Sequence, residues 1–168
     1  DFYTAIGPIN FYLSSLGIKL GLPAGVTIAF GCLSATVIIL VPGLIMMYKR
    51  FGIIPIILSL IYWWLVIAAP LGIGETYNNI SWGMFYNRFG WAALFFVFLF
   101  YVEPRVRIKY AEFIDGILLS ILVLFLLYCR ITYGFIAVLF VSANFCVSTY
   151  NRKVSIIAGC LVIIISLF

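Results

Sequence analysis

The sequence contains no histidine, and it has only four cysteines, none of them in a CxxC pair. The cysteines lie inside apolar runs, at Cys32, Cys129, Cys146 and Cys160. Without histidine and without paired cysteines, the chain offers no ligand spacing that is typical of a metal centre or a disulfide framework. We therefore interpret the cysteines as small buried hydrophobic residues.

Charge is also scarce, because only 9% of the 168 residues are charged while 66% are hydrophobic. A soluble domain has too little polar surface to cover so much apolar side chain. The apolar runs are continuous, whereas a transmembrane β-barrel shows segments of about ten residues with alternating polarity. The composition predicts an all-α fold, a polytopic transmembrane helical bundle in contact with membrane lipid.

The net charge of +5 does not indicate a nucleic-acid partner. The basic residues form short clusters between apolar runs, and this is the pattern that sets membrane topology. We expect no nucleic acid to bind.

The apolar runs predict six spans within a single transmembrane domain, residues 1–168. They lie at about 24–48, 53–73, 81–102, 113–129, 132–150 and 154–168. Residues 1–22 are too short an apolar run to cross a membrane, so we predict an extracytoplasmic loop and a juxtamembrane amphipathic helix that lies flat on the outer surface. Because the chain begins at Asp1 without methionine and ends inside an apolar run, we expect it to be part of a longer protein.

The basic residues divide unequally between alternate loops. One set holds seven of them, the other three, and the richer set is expected in the cytoplasm. Residues 1–22, residues 74–91 and Arg130 are then extracytoplasmic. The richer set is Lys49, Arg50, Arg105, Arg107, Lys109, Arg152 and Lys153, and the poorer set is Lys19, Arg88 and Arg130.

The longest polar interval runs from Gly74 to Trp91. Such a patch at the mouth of a membrane bundle is where a ligand is expected to bind. Its polar and aromatic residues include Glu75, Tyr77, Asn78, Asn79, Trp82, Tyr86, Asn87, Arg88 and Trp91.

Arg88 is the sharpest candidate for a binding residue. A guanidinium in the first turns of a membrane helix is costly unless it is paired or faces a wet cavity, and its planar fork suits phosphate. Tyr86 and Asn87 precede it and join it as candidate substrate-binding residues. The alternative is that Arg88 reaches lipid headgroups or pairs with Glu75.

Further charged residues are weaker candidates. Arg130 and Lys19 could form a cationic rim with Arg88 around an anionic lipid headgroup, or anchor the protein at the interface. Asp1 and Glu75 are the only carboxylates predicted outside. Either could serve as a general base, or could be a solvated acid in a loop.

Two carboxylates, Glu112 and Asp115, lie near the predicted cytoplasmic end of the fourth span. We interpret them as partners of the loop cations Arg105, Arg107 or Lys109.

The segment Asp1–Leu13 reads Asp-Phe-Tyr-Thr-Ala-Ile-Gly-Pro-Ile-Asn-Phe-Tyr-Leu. It resembles a segment of the GT-C glycosyltransferases, integral-membrane enzymes that use polyprenyl-phosphate sugars, such as the protein mannosyltransferases and the aminoarabinose transferases of lipid A. In many bacterial members such a segment opens the first extracytoplasmic loop, with an acid that Asp1 matches and a helix start that Gly7-Pro8 matches. The residue after Asp1 is phenylalanine, so no catalytic Asp-Glu pair is present.

The resemblance implies transfer of a sugar from a lipid-linked phosphate donor to an acceptor at the extracytoplasmic face of a bacterial inner membrane. Asp1 would be the catalytic residue that deprotonates or orients the acceptor. Arg88, Glu75, Asn87, Tyr86, Arg130 and Lys19 would bind substrate. The lipid-linked sugar phosphate is the only small partner implied, and a need for a divalent metal is left open. The alternative function is a transporter or flippase for a lipid-linked or anionic solute.

Overall fold

The computed structural model describes residues 8–68, 82–105 and 110–167. These residues form seven α-helices and contain no strand, so the predicted all-α fold is confirmed for them. The helices are α1 (Ile9–Lys19), α2 (Ala24–Arg50), α3 (Ile53–Ala68), α4 (Trp82–Phe98), α5 (Ala111–Cys129), α6 (Ile131–Asn144) and α7 (Thr149–Leu167), and a 3₁₀ turn, Leu99–Tyr101, follows α4.

Three of these helices are long and apolar enough to cross a membrane, as judged by length and composition. They comprise the Ala29–Arg50 part of α2, the whole of α5 and the whole of α7. Helices α3, α4 and α6 are apolar but shorter. A helix needs about 20 residues to cross the hydrocarbon layer upright, so the long helices support the membrane class that the composition predicts.

The helices place their charged residues at two opposite ends. The C-terminus of α2 and the N-termini of α5 and α7 meet where Arg50, Asp115 and Tyr150 are in contact, which we name the Arg50 end. The start of α4, the α5–α6 connection and the start of α6 meet at Asn87 and Arg130, which we name the Arg130 end. The contacts thus separate Lys49 and Arg50 from Arg88 and Arg130, in line with the predicted grouping; which end is cytoplasmic stays a prediction.

The boundary between α6 and α7 differs from the prediction. Helix α6 ends at Asn144 and α7 begins at Thr149, whereas spans at 132–150 and 154–168 were expected. The apolar residues between these helices form a turn, and the polar run that was assigned to a loop continues as helix. Ser148 explains the start of α7, because its Oγ accepts a hydrogen bond from the Asn151 N–H at 3.2 Å, as an N-cap residue does.

Helix α1 precedes the first long helix, as predicted, and it ends in a reversal of the chain. Gly21 has φ +77°, its N–H donates to Ile18 O, and the Leu22 N–H donates to Gly17 O. This pair of bonds is the Schellman arrangement that closes helices. After it the chain turns back, so that Gly17 lies against Thr27 of α2. The predicted position of α1, flat on the outer surface, stays a prediction.

Candidate functional site

Three polar side chains converge at the Arg130 end. Asn87 Oδ1 accepts a hydrogen bond from Arg130 Nη1 at 3.0 Å and another from the Tyr133 hydroxyl at 3.0 Å. They come from the start of α4, the α5–α6 connection and the first turn of α6. We name Asn87, Arg130 and Tyr133 the Asn87 cluster. These hydrogen bonds do not identify a reaction, but they bring together Asn87 and Arg130, two candidate residues predicted from the sequence.

The position of Arg130 is fixed by an unusually short connection. Helix α5 ends at Cys129, α6 begins at Ile131, and Arg130 alone joins them in an extended conformation with φ −163° and ψ 130°. Its N–H donates to Leu126 O, and its carbonyl accepts from the Gly134 N–H. Since the backbone is held on both sides, the half-buried side chain starts from a fixed point beside α4.

Arg88 follows Asn87 on α4 and is half-buried. Its Nη1 donates to the carbonyl of Val66, near the end of α3, at 3.4 Å. Within the described part of the chain no carboxylate pairs with it; its predicted partner Glu75 lies outside the described residues. A guanidinium bonded to a neutral carbonyl keeps its positive charge uncompensated by that contact, which favours a nearby anion.

The other candidate residues are distributed unevenly. Asp1 and the side chain of Tyr86 also lie outside the described residues. Lys19 is exposed in the last turn of α1, and no described contact joins it to the Asn87 cluster. Of the three cations in the predicted rim, Arg88 and Arg130 are therefore the ones whose described side chains lie at the Arg130 end.

An apolar cleft begins beside the Asn87 cluster. The ring of Trp91 lies 6.1 Å from the ring of Tyr133, centroid to centroid, and Trp91 also lines a cleft of about 530 Å³ between α3 and α4. We name it the aromatic cleft. Its walls are Leu58, Ser59, Tyr62, Trp63, Trp91, Phe95 and Phe98.

The aromatic cleft extends away from the Arg130 end. Trp91 and Phe98 are seven positions apart on α4, which corresponds to about 10 Å of helix. Trp63 forms the buried floor and packs against Phe95 at 5.1 Å between ring centroids. Trp91 therefore lies at the junction between the polar Asn87 cluster and the apolar aromatic cleft.

A second buried polar group occupies the Arg50 end, around Asp115. Asp115 was expected to pair with Arg105, Arg107 or Lys109, but its partners among the described residues are others; Arg107 and Lys109 themselves lie outside those residues. Asp115 accepts from Lys49 Nζ at 2.9 Å, from Arg50 Nη2 at 2.9 Å and from the Tyr150 hydroxyl at 2.9 Å. The other carboxylate of α5, Glu112, has a solvent-facing partner, Lys153, at 3.5 Å.

The side chain of Arg50 is fully enclosed, like that of Asp115. Besides Asp115, its Nε donates to Val102 O at 2.6 Å, and the guanidinium lies 5.0 Å from the ring centroid of Phe100. A buried ion pair with such additional hydrogen bonds fixes the relative position of helices more than it supplies reactivity. We interpret this group as structural. The available signal was Asp115 itself, because an acid beyond the first turn of an apolar helix requires a partner.

The described part of the chain holds no group of three Cys, Asp or Glu side chains that could bind a metal ion. Comparison with known proteins does not extend the assignment either. No family model, no curated protein and no solved structure matches this chain.

Proposed function

We propose that this protein transfers a sugar from a polyprenyl-phosphate donor to an acceptor at the extracytoplasmic side of a membrane, as GT-C glycosyltransferases do. One observation carries the proposal: Arg88 and the Asn87 cluster adjoin the aromatic cleft at one end of the bundle. A lipid phosphate needs both elements, a cation for its head and an apolar groove for its tail.

Arg88 would bind the donor phosphate. A phosphate oxygen offers charge-assisted hydrogen bonds that are stronger than the 3.4 Å contact with Val66 O. Arg130 lies across the same end of the bundle, where Asn87 Oδ1 orients its guanidinium. Two guanidinium groups of this kind favour the single negative charge of the donor phosphodiester over a neutral headgroup, and they would stabilise the second charge that appears when polyprenyl phosphate leaves.

The aromatic cleft would bind the first isoprene units of the donor. Isoprenoid chains are branched and unsaturated, and aromatic walls offer them large apolar contact without polar groups to desolvate. Trp91, at the junction, would lie where the phosphate meets the chain.

The proposed reaction transfers the sugar from a phosphate oxygen to a hydroxyl oxygen. The acceptor hydroxyl oxygen forms a bond to the anomeric carbon of the sugar while the bond from that carbon to the phosphate oxygen breaks. Polyprenyl phosphate leaves with the electron pair, and its added negative charge is stabilised by Arg88, the usual electrostatic contribution to such a step. Asp1 accepts the proton of the hydroxyl in this proposal.

Arg88→Ala tests the assignment. In lipid nanodiscs, the variant should bind a fluorescent polyprenyl phosphate at least tenfold more weakly, because one charge-assisted hydrogen bond contributes about 1.5–3 kcal/mol. Arg152→Ala is the matched control, since Arg152 is an exposed arginine in the first turns of α7, near the Arg50 end.

Equal binding by the two variants contradicts the proposal. A transfer assay in membranes, with the labelled lipid-linked sugar as donor, then distinguishes a glycosyltransferase from a flippase. Labelled acceptor supports transfer, whereas movement of the intact donor across vesicle membranes without labelled acceptor assigns the same site to a flippase.

A further inference from the structure

Two buried polar side chains on α7 have no hydrogen-bond partner among the described residues. They are Asn151, through Nδ2, and Ser155, through Oγ. Asn151 is 1% exposed and Ser155 is 6% exposed. Nine-tenths or more of the buried polar groups in native proteins are paired with protein or with ordered water, so two unpaired groups on one helix require an explanation.

The two residues share one face of α7. They are four positions apart, and side chains at this spacing are neighbours whose Cβ atoms lie about 5–6 Å apart. The adjoining positions are in contact with α5, because Tyr150 donates to Asp115 and the carbonyl of Val154 lies beside Gly116. The pair therefore lies on the bundle side of α7.

We propose that Asn151 and Ser155 hold an ordered water molecule inside the bundle. A water that makes two hydrogen bonds of about 2.8 Å can bridge polar atoms up to about 5.6 Å apart, and the ends of side chains four positions apart on a helix can approach within that span. The water accepts from Asn151 Nδ2 and bonds with Ser155 Oγ. An interior site with polar partners retains a water, whereas an apolar cavity stays dry.

This water lies deeper than the helix end. Ser155 is six positions beyond Thr149, which is about 9 Å along the helix axis. Hydration would thus extend from the Arg50 end past the level of Tyr150, whose hydroxyl is bonded to the buried Asp115. Asn144, at the end of α6, presents a third unpaired buried atom, Oδ1, at the same end of the bundle.

The sign of a stability change distinguishes a hydrated pair from a dry one. A dry, unpaired hydroxyl is unfavourable, so its removal stabilises the protein or has no effect. A hydroxyl bonded to water contributes, so its removal destabilises, although alanine is the better helix former. Ser155→Ala introduces no new atoms and therefore no clash.

Ser120→Ala is the matched control. Ser120 is equally buried, but its Oγ already donates to Ile117 O at 2.7 Å within its own helix. With the full chain in mixed micelles, we expect Ser155→Ala to raise the unfolding equilibrium constant about as much as Ser120→Ala, roughly fivefold, because each variant removes one hydrogen bond of about 1 kcal/mol. An unchanged or lower unfolding constant for Ser155→Ala overturns the proposal.

Asn151→Leu gives a second test with a side chain of similar shape. It should also raise the unfolding constant, and the double variant should lose less than the two single effects combined, because both remove the same water. An experimental density map that resolves water should contain a peak within 3.2 Å of both atoms, to the limit of hydrogen bonding; an empty position overturns the proposal.

Discussion

Arg50 Nη2 and Asp115 Oδ2 lie 2.9 Å apart, with both side chains fully enclosed, although 65 positions separate them in the chain. The pair joins the last turn of α2 to the second turn of α5. Lys49 Nζ contacts the other oxygen of the same carboxylate at 2.9 Å. One carboxylate therefore serves two adjacent cations, and Tyr150 brings α7 to the same point.

Asp115→Asn should be strongly destabilising. Removing the carboxylate leaves Lys49 and Arg50 buried without their counter-charge, and breaking a buried pair in this way costs about 3–5 kcal/mol. We expect a loss of this size in the free energy of unfolding, measured by SDS titration in mixed micelles.

Glu112→Gln is its control. Glu112 contacts Lys153 at 3.5 Å, and the Lys153 side chain is 61% exposed, so the loss should stay below about 1 kcal/mol. Equal losses for the two variants would contradict a structural role for Asp115.

Tyr133→Phe should cost about 1 kcal/mol of unfolding free energy, because it removes one hydrogen bond to Asn87. The cost stays small because Asn87 Oδ1 still accepts from Arg130. Tyr62→Phe, at an exposed tyrosine of α3, should change stability by less than about 0.5 kcal/mol under the same titration. If both variants behave alike, the Tyr133 hydroxyl does not support the cluster.

Gly43→Ala should separate α2 from α4. A Cβ at Gly43 would lie 2.5 Å from two ring carbons of Phe96, whose side chain is buried. Overpacking of this kind costs about 1–3 kcal/mol, and thermal unfolding in detergent would measure it. Gly159→Ala is the comparison, because a Cβ there meets no described atom within 4 Å; it should be neutral or stabilise by up to about 1 kcal/mol.

Ser59→Trp should fill the aromatic cleft. Ser59 is a small residue on the cleft wall, so an indole there competes with an isoprenoid chain for the same volume. We expect polyprenyl phosphate to bind at least tenfold more weakly in nanodiscs, with little change in thermal stability. Ile57→Trp adds the same ring to an exposed position of α3 that does not line the cleft, and a comparable loss there would argue against the cleft as the binding groove.

The local features of this fold could be predicted from sequence. Long apolar runs indicate helices, and clusters such as Lys49-Arg50 mark their ends, because each signal resides in neighbouring residues. The turn between α6 and α7 was missed since Phe145 and its neighbours are as apolar as the helices around them. The capping position of Ser148, three residues before Asn151, was the available signal.

Contacts between residues that are far apart in the chain could not be predicted from these local patterns. Asn87 and Arg130 were both singled out, but their hydrogen bond depends on how α4 packs against the α5–α6 hairpin. Tyr133 is one of eleven tyrosines, and nothing local distinguishes it. The contacts of Asp115 with Lys49 and Arg50 were likewise not foreseen, because these cations lie 66 and 65 positions away in the chain.

The single extended residue between α5 and α6 has a mechanical consequence. Any change in the angle between these helices must be absorbed by the torsions of Arg130 and its immediate neighbours, and its guanidinium would swing with that change. Because this guanidinium also bonds to Asn87 of α4, a change in the angle of the hairpin would strain or break the hydrogen bond that ties the hairpin to α4.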